Sequence, residues 1–500
     1  MPISGRLRNN LSANFLGTGV SGVVALVSAP IIFRALGADA YGMVGVYLLL
    51  QGMMVLFDLG LTPGLARAVA WHRGVDGWGQ VLTLIRLAER PMFALALAFM
   101  LGLMALSGFI SRNWLSSAQV PVATIQLLLV LMGAALALRM VAGLQRAALM
   151  AIERQPQANL VQALAVTGRT LGALGFALLT GTGVLGFFVV QVPISLLEWW
   201  GYRKFLGLAL SRSPEPVPRD ELRQHIRFGL GVAGLALVWL LASQADKLVL
   251  SRLLPLAEFG AYSLGAHIAS AVIIAVGPVQ AAVLPRLTRL IAGGEESQAR
   301  SLYGMATAMT VALFAGMVVG IWLAGPAVVS MLAPVAAIDL KPMQVALVFA
   351  FGNGAIALVG LAYQLQNARG QLRVHAIGAF VQVVIQVPVL IWVATTSGAL
   401  ATAIAFSAMN WLFVALWIPL VHSRFLNGGN LPWLRQDLLP PLVAGAITGL
   451  VLIGMLPQSQ PLVVQGVLAL LGMGLTAGVT LISHSGMRGY LLGWGASLGS

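Results

Sequence analysis

Leu36-Gly37-Ala38-Asp39-Ala40-Tyr41-Gly42 and Leu254-Pro255-Leu256-Ala257-Glu258-Phe259-Gly260 carry one pattern at two places, 218 residues apart. Three further landmarks repeat in the same order. Pro63 to Arg67 is echoed by Pro285 to Arg289, Leu144-Gln145-Arg146-Ala147 by Leu365-Gln366-Asn367-Ala368, and Lys204-Phe205-Leu206 by Arg424-Phe425-Leu426. Each match is weak in so apolar a sequence. Four in order, offset by 218 to 222 residues, indicate an internal duplication. Two like halves in an apolar chain are the usual build of a membrane transporter around a central site.

The composition fits that reading. Of the 500 residues, 59% are hydrophobic and 9% charged, and the mean hydropathy is +0.91. A soluble fold cannot hide so much apolar surface. Apolar stretches of about 20 residues recur, the length of a membrane-spanning helix, and the short alternating strands of a membrane β-barrel are absent. The expected fold is all-α and polytopic. Without cysteine there is no disulfide framework, thiolate zinc site or iron–sulfur cluster. The net charge of +14 reads as topology signals on cytoplasmic loops rather than as a nucleic-acid surface.

Fourteen spans are expected, near 11–33, 41–66, 88–110, 121–143, 159–180, 184–204, 226–250, 259–285, 303–324, 342–366, 374–396, 399–421, 438–457 and 463–484. The first follows Arg6 and Arg8 and is too long for a signal-peptide core, so it is read as an uncleaved helix. With those arginines inside, five of the 29 basic residues (Arg34, Arg112, Lys247, Arg252, Lys341) fall outside and the other 24 on cytoplasmic loops or in the spans leading from them. Both termini are then expected on the cytoplasmic side. Pro214, Pro216 and Pro218 favour an extended linker where the halves should join. The expected organisation is a six-helix lobe at 1–210, a linker at 211–225, a second six-helix lobe at 226–426, and an extra helix pair with tail at 427–500. Trp114, Trp199, Trp200, Trp433 and Trp494 are expected as interfacial anchors.

Charges inside spans cost several kcal/mol and need a reason. Asp58 lies in the second span, Asp246 and Lys247 in the seventh, Arg139 and Arg169 in the fourth and fifth, and Glu198 near the inner end of the sixth. Arg34 sits at the outer end of the first span; Arg86 and Arg90 sit near the inner interface. Gln191, Gln244, Gln382 and Gln386 add amides, the last two sharing a helix face. Arginine forks and amides together suit a ligand bearing hydroxyls and an anionic group. These residues are the candidate binding and translocation set. Simpler roles stand beside that one: Asp58-Leu59-Gly60 can set a helix bend, and glutamines can join helices. Asp246 and Lys247 can form a charge pair, although neighbours on a helix diverge by about 100° and would pair across helices. No nucleotide loop, zinc helix or kinase set occurs, so neither an enzyme nor a resident cofactor is expected.

Phe33 to Gly42, then Phe57-Asp58-Leu59-Gly60-Leu61, resembles the start of the Wzx-type polysaccharide flippases. Ala245 to Leu250 and Phe259-Gly260-Ala261-Tyr262-Ser263 resemble their seventh and eighth spans. The resemblance covers roughly residues 8 to 426. It implies membership of the multidrug/oligosaccharidyl-lipid/polysaccharide exporter superfamily and two six-helix lobes in a V around a cavity. It also implies an activity: flipping undecaprenyl-diphosphate-linked oligosaccharide from the cytoplasmic to the periplasmic leaflet of a bacterial inner membrane, for surface polysaccharide such as O-antigen or exopolysaccharide. The partners implied are that glycan lipid, the bilayer and a polysaccharide polymerase, with no nucleic acid. Asp58, Asp246 and Lys247 occupy the positions of family-like intramembrane charges. Unlike lipid II flippases, this chain has no arginine at the centre of its first span. A drug or small-metabolite antiporter of the same fold, and a scaffold of the polysaccharide machinery without a transport cycle, remain alternatives.

Overall fold

The computed structural model describes residues 5–74, 77–209, 213–332, 341–456 and 460–489, and no strand occurs among them. In chain order the helices are α1 Gly5–Leu36, α2 Ala38–Phe57, α3 Leu61–Gly74, α4 Trp78–Trp114, α5 Val122–Ala151, α6 Gln155–Thr180 and α7 Gly183–Ala209. They continue as α8 Arg219–Leu253, α9 Leu256–Ala269, α10 Ala271–Ala292, α11 Glu296–Leu332, α12 Pro342–Ala368, α13 Arg373–Phe425, α14 Asn430–Met455 and α15 Leu462–Ser483.

Thirteen described segments are long and apolar enough to cross a membrane. The longest, α13, runs 53 residues and breaks at Gly398, where φ is 79° and ψ −170°. Only glycine enters that region readily, so α13 holds two spans end to end, as the separate stretches 374–396 and 399–421 foretold. The segment expected as one helix over 41–66 is instead two. Asp58 caps the end of α2, Leu59 and Gly60 have φ of 46° and 76°, and α3 begins at Leu61. The third span starts ten residues earlier than expected, at Trp78, which puts Arg86 and Arg90 on the exposed face of a helix.

The chain packs as two compact units, Met1–Gly260 and Ala261–Ser500. In the first, α5 lies against α4 and α7, α1 against α6, and α8 against α2 and α3. In the second, α12 lies against α13, and α11 receives α10, α12, α14 and α15. Division by repeat and division by packing differ over α8, which opens the second repeat and packs in the first unit. It begins right after Pro218, whose fixed φ suits a helix start, so only 213–218 of the described linker is extended. Glu215 N–H donates to the Gly79 carbonyl (3.2 Å) and Thr83 Oγ1 to the Glu215 carbonyl (2.6 Å), fixing this stretch to the start of α4.

Within the first unit the two copies of the opening pattern meet. A Cβ on Gly42 would collide with the Leu256 carbonyl, and one on Gly260 with the Ala38 carbonyl. Ala38 and Gly42 correspond to Leu256 and Gly260 at the offset of 218. Reciprocal contact of equivalent residues is the signature of a two-fold relation, and glycine at both places permits the close approach. The 115–121 connection closes over both copies: Ser117 donates to Asp39 (2.5 Å) and Leu256 N–H to the Ser116 carbonyl (2.7 Å).

The extra helices α14 and α15 are held on α11 by charge. Asp437 forms an ion pair with Arg300 (2.5 Å) and bonds His484 Nε2 (2.9 Å). Trp433, expected at an interface, is buried and donates to Thr307 Oγ1 (2.9 Å). Trp200 is exposed, with Lys204 Nζ 5.1 Å from its ring centre. Trp494, residues 211–212 and the tail beyond 489 lie outside the described residues.

Candidate functional site

Four buried polar groups of the first unit share one face of α7. Gln191, Ser195, Glu198 and Tyr202 are spaced by 4, 3 and 4 residues and are exposed by 2%, 0%, 8% and 1%. That spacing places all four on a single stripe. The alternate positions Leu196, Leu197 and Trp200 are exposed apolar groups. The helix is thus amphipathic with its polar side inward, the reverse of a soluble helix.

Neighbouring helices bring cations to this stripe. Arg169 lies in a π-helical turn of α6, Gly168–Gly172, and forms an ion pair with Glu198. Such turns insert a residue into the α-helical register and are enriched at functional sites. Gln191 Nε2 donates to the Arg169 carbonyl in that turn (2.8 Å). From α5, Arg139 Nη1 donates to Tyr47 OH (3.0 Å) and Gln51 Oε1 (2.6 Å), both on α2 and four residues apart. Arg139, Arg146, Arg169 and Glu198 are near enough for their charges to act on Tyr202. One carboxylate among three guanidinium groups leaves the cluster net positive.

Its hydrogen bonding is incomplete. Gln191 Oε1, Ser195 Oγ, Tyr202 OH and Arg146 Nε are buried without a hydrogen-bond partner among the described residues. A buried polar atom left unpaired costs about 1–3 kcal/mol. Four within one cluster mark a place that water or a polar ligand completes. One turn along, Glu89 accepts from Gln145 Nε2 (2.8 Å) and lies 3.7 Å from Arg203, extending the polar face.

Of the residues singled out from sequence, the fold gathers Arg139, Arg169, Gln191 and Glu198. Asp58 accepts from Thr62 N–H (3.2 Å) and Thr62 Oγ1 (2.5 Å), so it caps α3 at the helix break. Lys247 Nζ lies 3.4 Å from each Asp246 carboxylate oxygen and 3.1 Å from the Ser243 carbonyl. The expected divergence of neighbouring side chains is overcome by the lysine's long flexible stem. Gln244 packs against Gly52. Arg34, Arg86 and Arg90 are exposed. In the second unit Gln382 Nε2 donates to Gln386 Oε1 (3.0 Å) and Asn410 Oδ1 (3.2 Å), a neutral amide cluster. Tyr47, Ser195 and Tyr202 were missed from sequence. Tyr47 stands four before Gln51 and Tyr202 four after Glu198, so helical spacing among polar residues carried the signal.

A family model described as polysaccharide biosynthesis protein matches residues 7–291. Among solved structures, an inward-facing multidrug-resistance MATE transporter of the MOP superfamily superposes with a TM-score of 0.70 at 13% identity, covering 81% of this chain and 94% of that one. The lipid II flippase MurJ in an inward closed conformation gives 0.69 at 12% identity, covering 93% and 97%. A MOP-superfamily transporter from Pyrococcus furiosus, described as having a binding pocket of reverse polarity, gives 0.51 at 12% identity, covering 83% and 95%. No curated protein matches by sequence. At such identities the likeness establishes the fold, which is the one the sequence resemblance implied.

Proposed function

The chain belongs to the polysaccharide biosynthesis protein family, and from that premise we propose that it flips undecaprenyl-diphosphate-linked oligosaccharide repeat units across the bacterial inner membrane. Movement runs from the cytoplasmic to the periplasmic leaflet by alternating access. A polysaccharide polymerase uses the units on the far side. Both termini are cytoplasmic, and the extra helix pair is an addition to two six-helix lobes.

The observation that carries this reading is the net-cationic, incompletely bonded stripe on α7 with its partners on α2, α5 and α6. A glycan diphosphate cannot cross hydrocarbon without replacing its water of hydration. Hydroxyl and amide groups substitute for water around sugars. Arginine forks match phosphate oxygens in pairs. The partly exposed Arg139 presents such a fork without breaking the buried Arg169–Glu198 pair.

Deleting the gene from its host tests the proposal. The expected result is loss of the surface polysaccharide and build-up of the lipid-linked unit on the cytoplasmic leaflet, both reversed by the intact gene. Unchanged polysaccharide in a strain without a paralogue contradicts it. Drug sensitivity with no lipid-linked sugar accumulating would identify a multidrug antiporter instead. Export that survives neutralising Asp58, Arg169 and Asp246 together, in a stably expressed protein, would identify a scaffold.

A further inference from the structure

Resting on the ligand site just proposed, we infer that Gln191 is a positioning residue: it holds the π-helical turn of α6 in the register that puts Arg169 on Glu198, and so leaves Arg139 to the phosphate. Regular α-helical bonding would carry the Ala173 N–H to the Arg169 carbonyl, four residues back. In this turn the Ala173 N–H donates instead to the Gly168 and Thr170 carbonyls. Gln191 Nε2 reaches across from α7 and donates to the Arg169 carbonyl (2.8 Å) in its place. The same nitrogen lies 3.5 Å from the Phe187 carbonyl of its own helix, while the amide oxygen is buried with no partner among the described residues. An amide that only joined helices would use both ends. This one is oriented to donate, and what it donates to is the turn.

The turn has room to lose its extra residue. A Cβ on Gly172 would meet nothing within 4 Å. The segment beyond, Ala173–Thr180, is eight residues long and is followed by Gly181 and Gly183, with φ of 67° and 57°. Glycines of that kind can take up one residue of slack. Closing the turn changes the bearing of Arg169 to the following segment by about 100°, the angle of one helical residue. Because α7 packs against α6 on both sides of the turn, that rotation parts Arg169 from Glu198. The charge of Glu198 acts on Arg139 as well as on Arg169. With Arg169 seated, Arg139 keeps Tyr47 and Gln51 and stays partly exposed. With Arg169 turned away, Glu198 is a buried carboxylate in need of a cation, and it draws Arg139 from the ligand. Gln191 thus acts on the ligand through Arg169 and Glu198.

The test uses the full-length protein in phosphatidylcholine nanodiscs and undecaprenyl diphosphate as the probe, with undecaprenol as the uncharged control. Gln191→Met keeps the side chain's shape and removes the donor. It should weaken capture of the diphosphate about tenfold and leave capture of undecaprenol unchanged. In a Glu198→Gln background no carboxylate competes for Arg139, and Gln191→Met should change capture less than about twofold. A merely structural Gln191 would weaken capture equally in both backgrounds, and that result overturns the inference. A second arm reads stability alone. Gln191→Met should lower the melting temperature by about 2–4 °C, the shift of one lost hydrogen bond. Once Thr170 is deleted to close the turn, a backbone N–H meets the Arg169 carbonyl, and Gln191→Met should lower it no further. Equal falls with and without the deletion also overturn the inference. Each arm decides by itself where the other background does not fold. The two failures stay separate: an unaltered protein that captures no diphosphate sinks the proposed function, and the stability arm still judges the role of Gln191.

Discussion

The first unit gathers charged side chains around α7, whereas the second holds a cluster of amides on α13. Around α7, two arginine contacts and a carboxylate are threaded through hydroxyls; in the second unit Gln382 Nε2 donates to both Gln386 and Asn410, and Asn410 Nδ2 to the Phe406 carbonyl. The duplicated frame makes the contrast informative. Gln145 and Gln366 are equivalents at an offset of 221, and both are fully buried. The first donates to Glu89, the second to the Ala362 carbonyl of its own helix. These equivalent glutamines share their burial and differ in their hydrogen-bond partners. The second unit keeps its buried charge for another task, holding α14 and α15 on α11 through Arg300, Asp437 and His484.

The contrast is broken most sharply at Arg169. Arg169→Ala strands Glu198 in a buried site and should cost about 3–5 kcal/mol, read as a fall in melting temperature in detergent. Arg169→Met combined with Glu198→Leu should recover most of that stability, because an apolar replacement of a buried pair is often neutral. It should still fail to transport. A double variant as unstable as the single one would mean the pair is not isolated in the way described.

Asp437→Ala leaves Arg300 and His484 facing each other and should cost about 2–3 kcal/mol, less than Arg169→Ala because Arg300 keeps some solvent. Faster proteolysis in the 456–462 connection, with α1–α7 still protected, is the expected readout. Gly42→Val and Gly260→Val should each cost about 1–3 kcal/mol by forcing apart carbonyls and helices now in contact. Their near-equality, measured by denaturation of each variant, is the expectation. A large difference would mean the reciprocal contact does not bear load on both sides. Gln386→Leu is the mildest, at about 0.6 kcal/mol, the average of hydrogen bonds between membrane helices. A cost as large as that of Arg169→Ala would erase the distinction between the units.

The helices were legible because apolar length fixes a span, and the repeat was legible because its landmarks are turns and close contacts. Residues such as Gly42 and Gly260 are constrained by geometry at both copies. The break at Asp58-Leu59-Gly60 was only half legible: the sequence permits a bend, but a left-handed Leu59 depends on tertiary packing. The α7 stripe was written in the chain as Gln191, Ser195, Glu198 and Tyr202. Hydropathy reading finds apolar periodicity and passes over a polar face turned inward. Asp246 and Lys247 show the remaining gap, since backbone geometry alone cannot say where a four-carbon stem will fold.

The most direct test places purified protein in liposomes with a fluorescent undecaprenyl-diphosphate oligosaccharide and follows its protection from a membrane-impermeant glycosidase. Protein-dependent movement between leaflets is expected, slowed at least about tenfold in Arg139→Gln, with a melting temperature close to that of the unaltered protein. A well-folded protein that leaves the glycan on its original leaflet, or an Arg139→Gln variant that moves it at the full rate, contradicts the account.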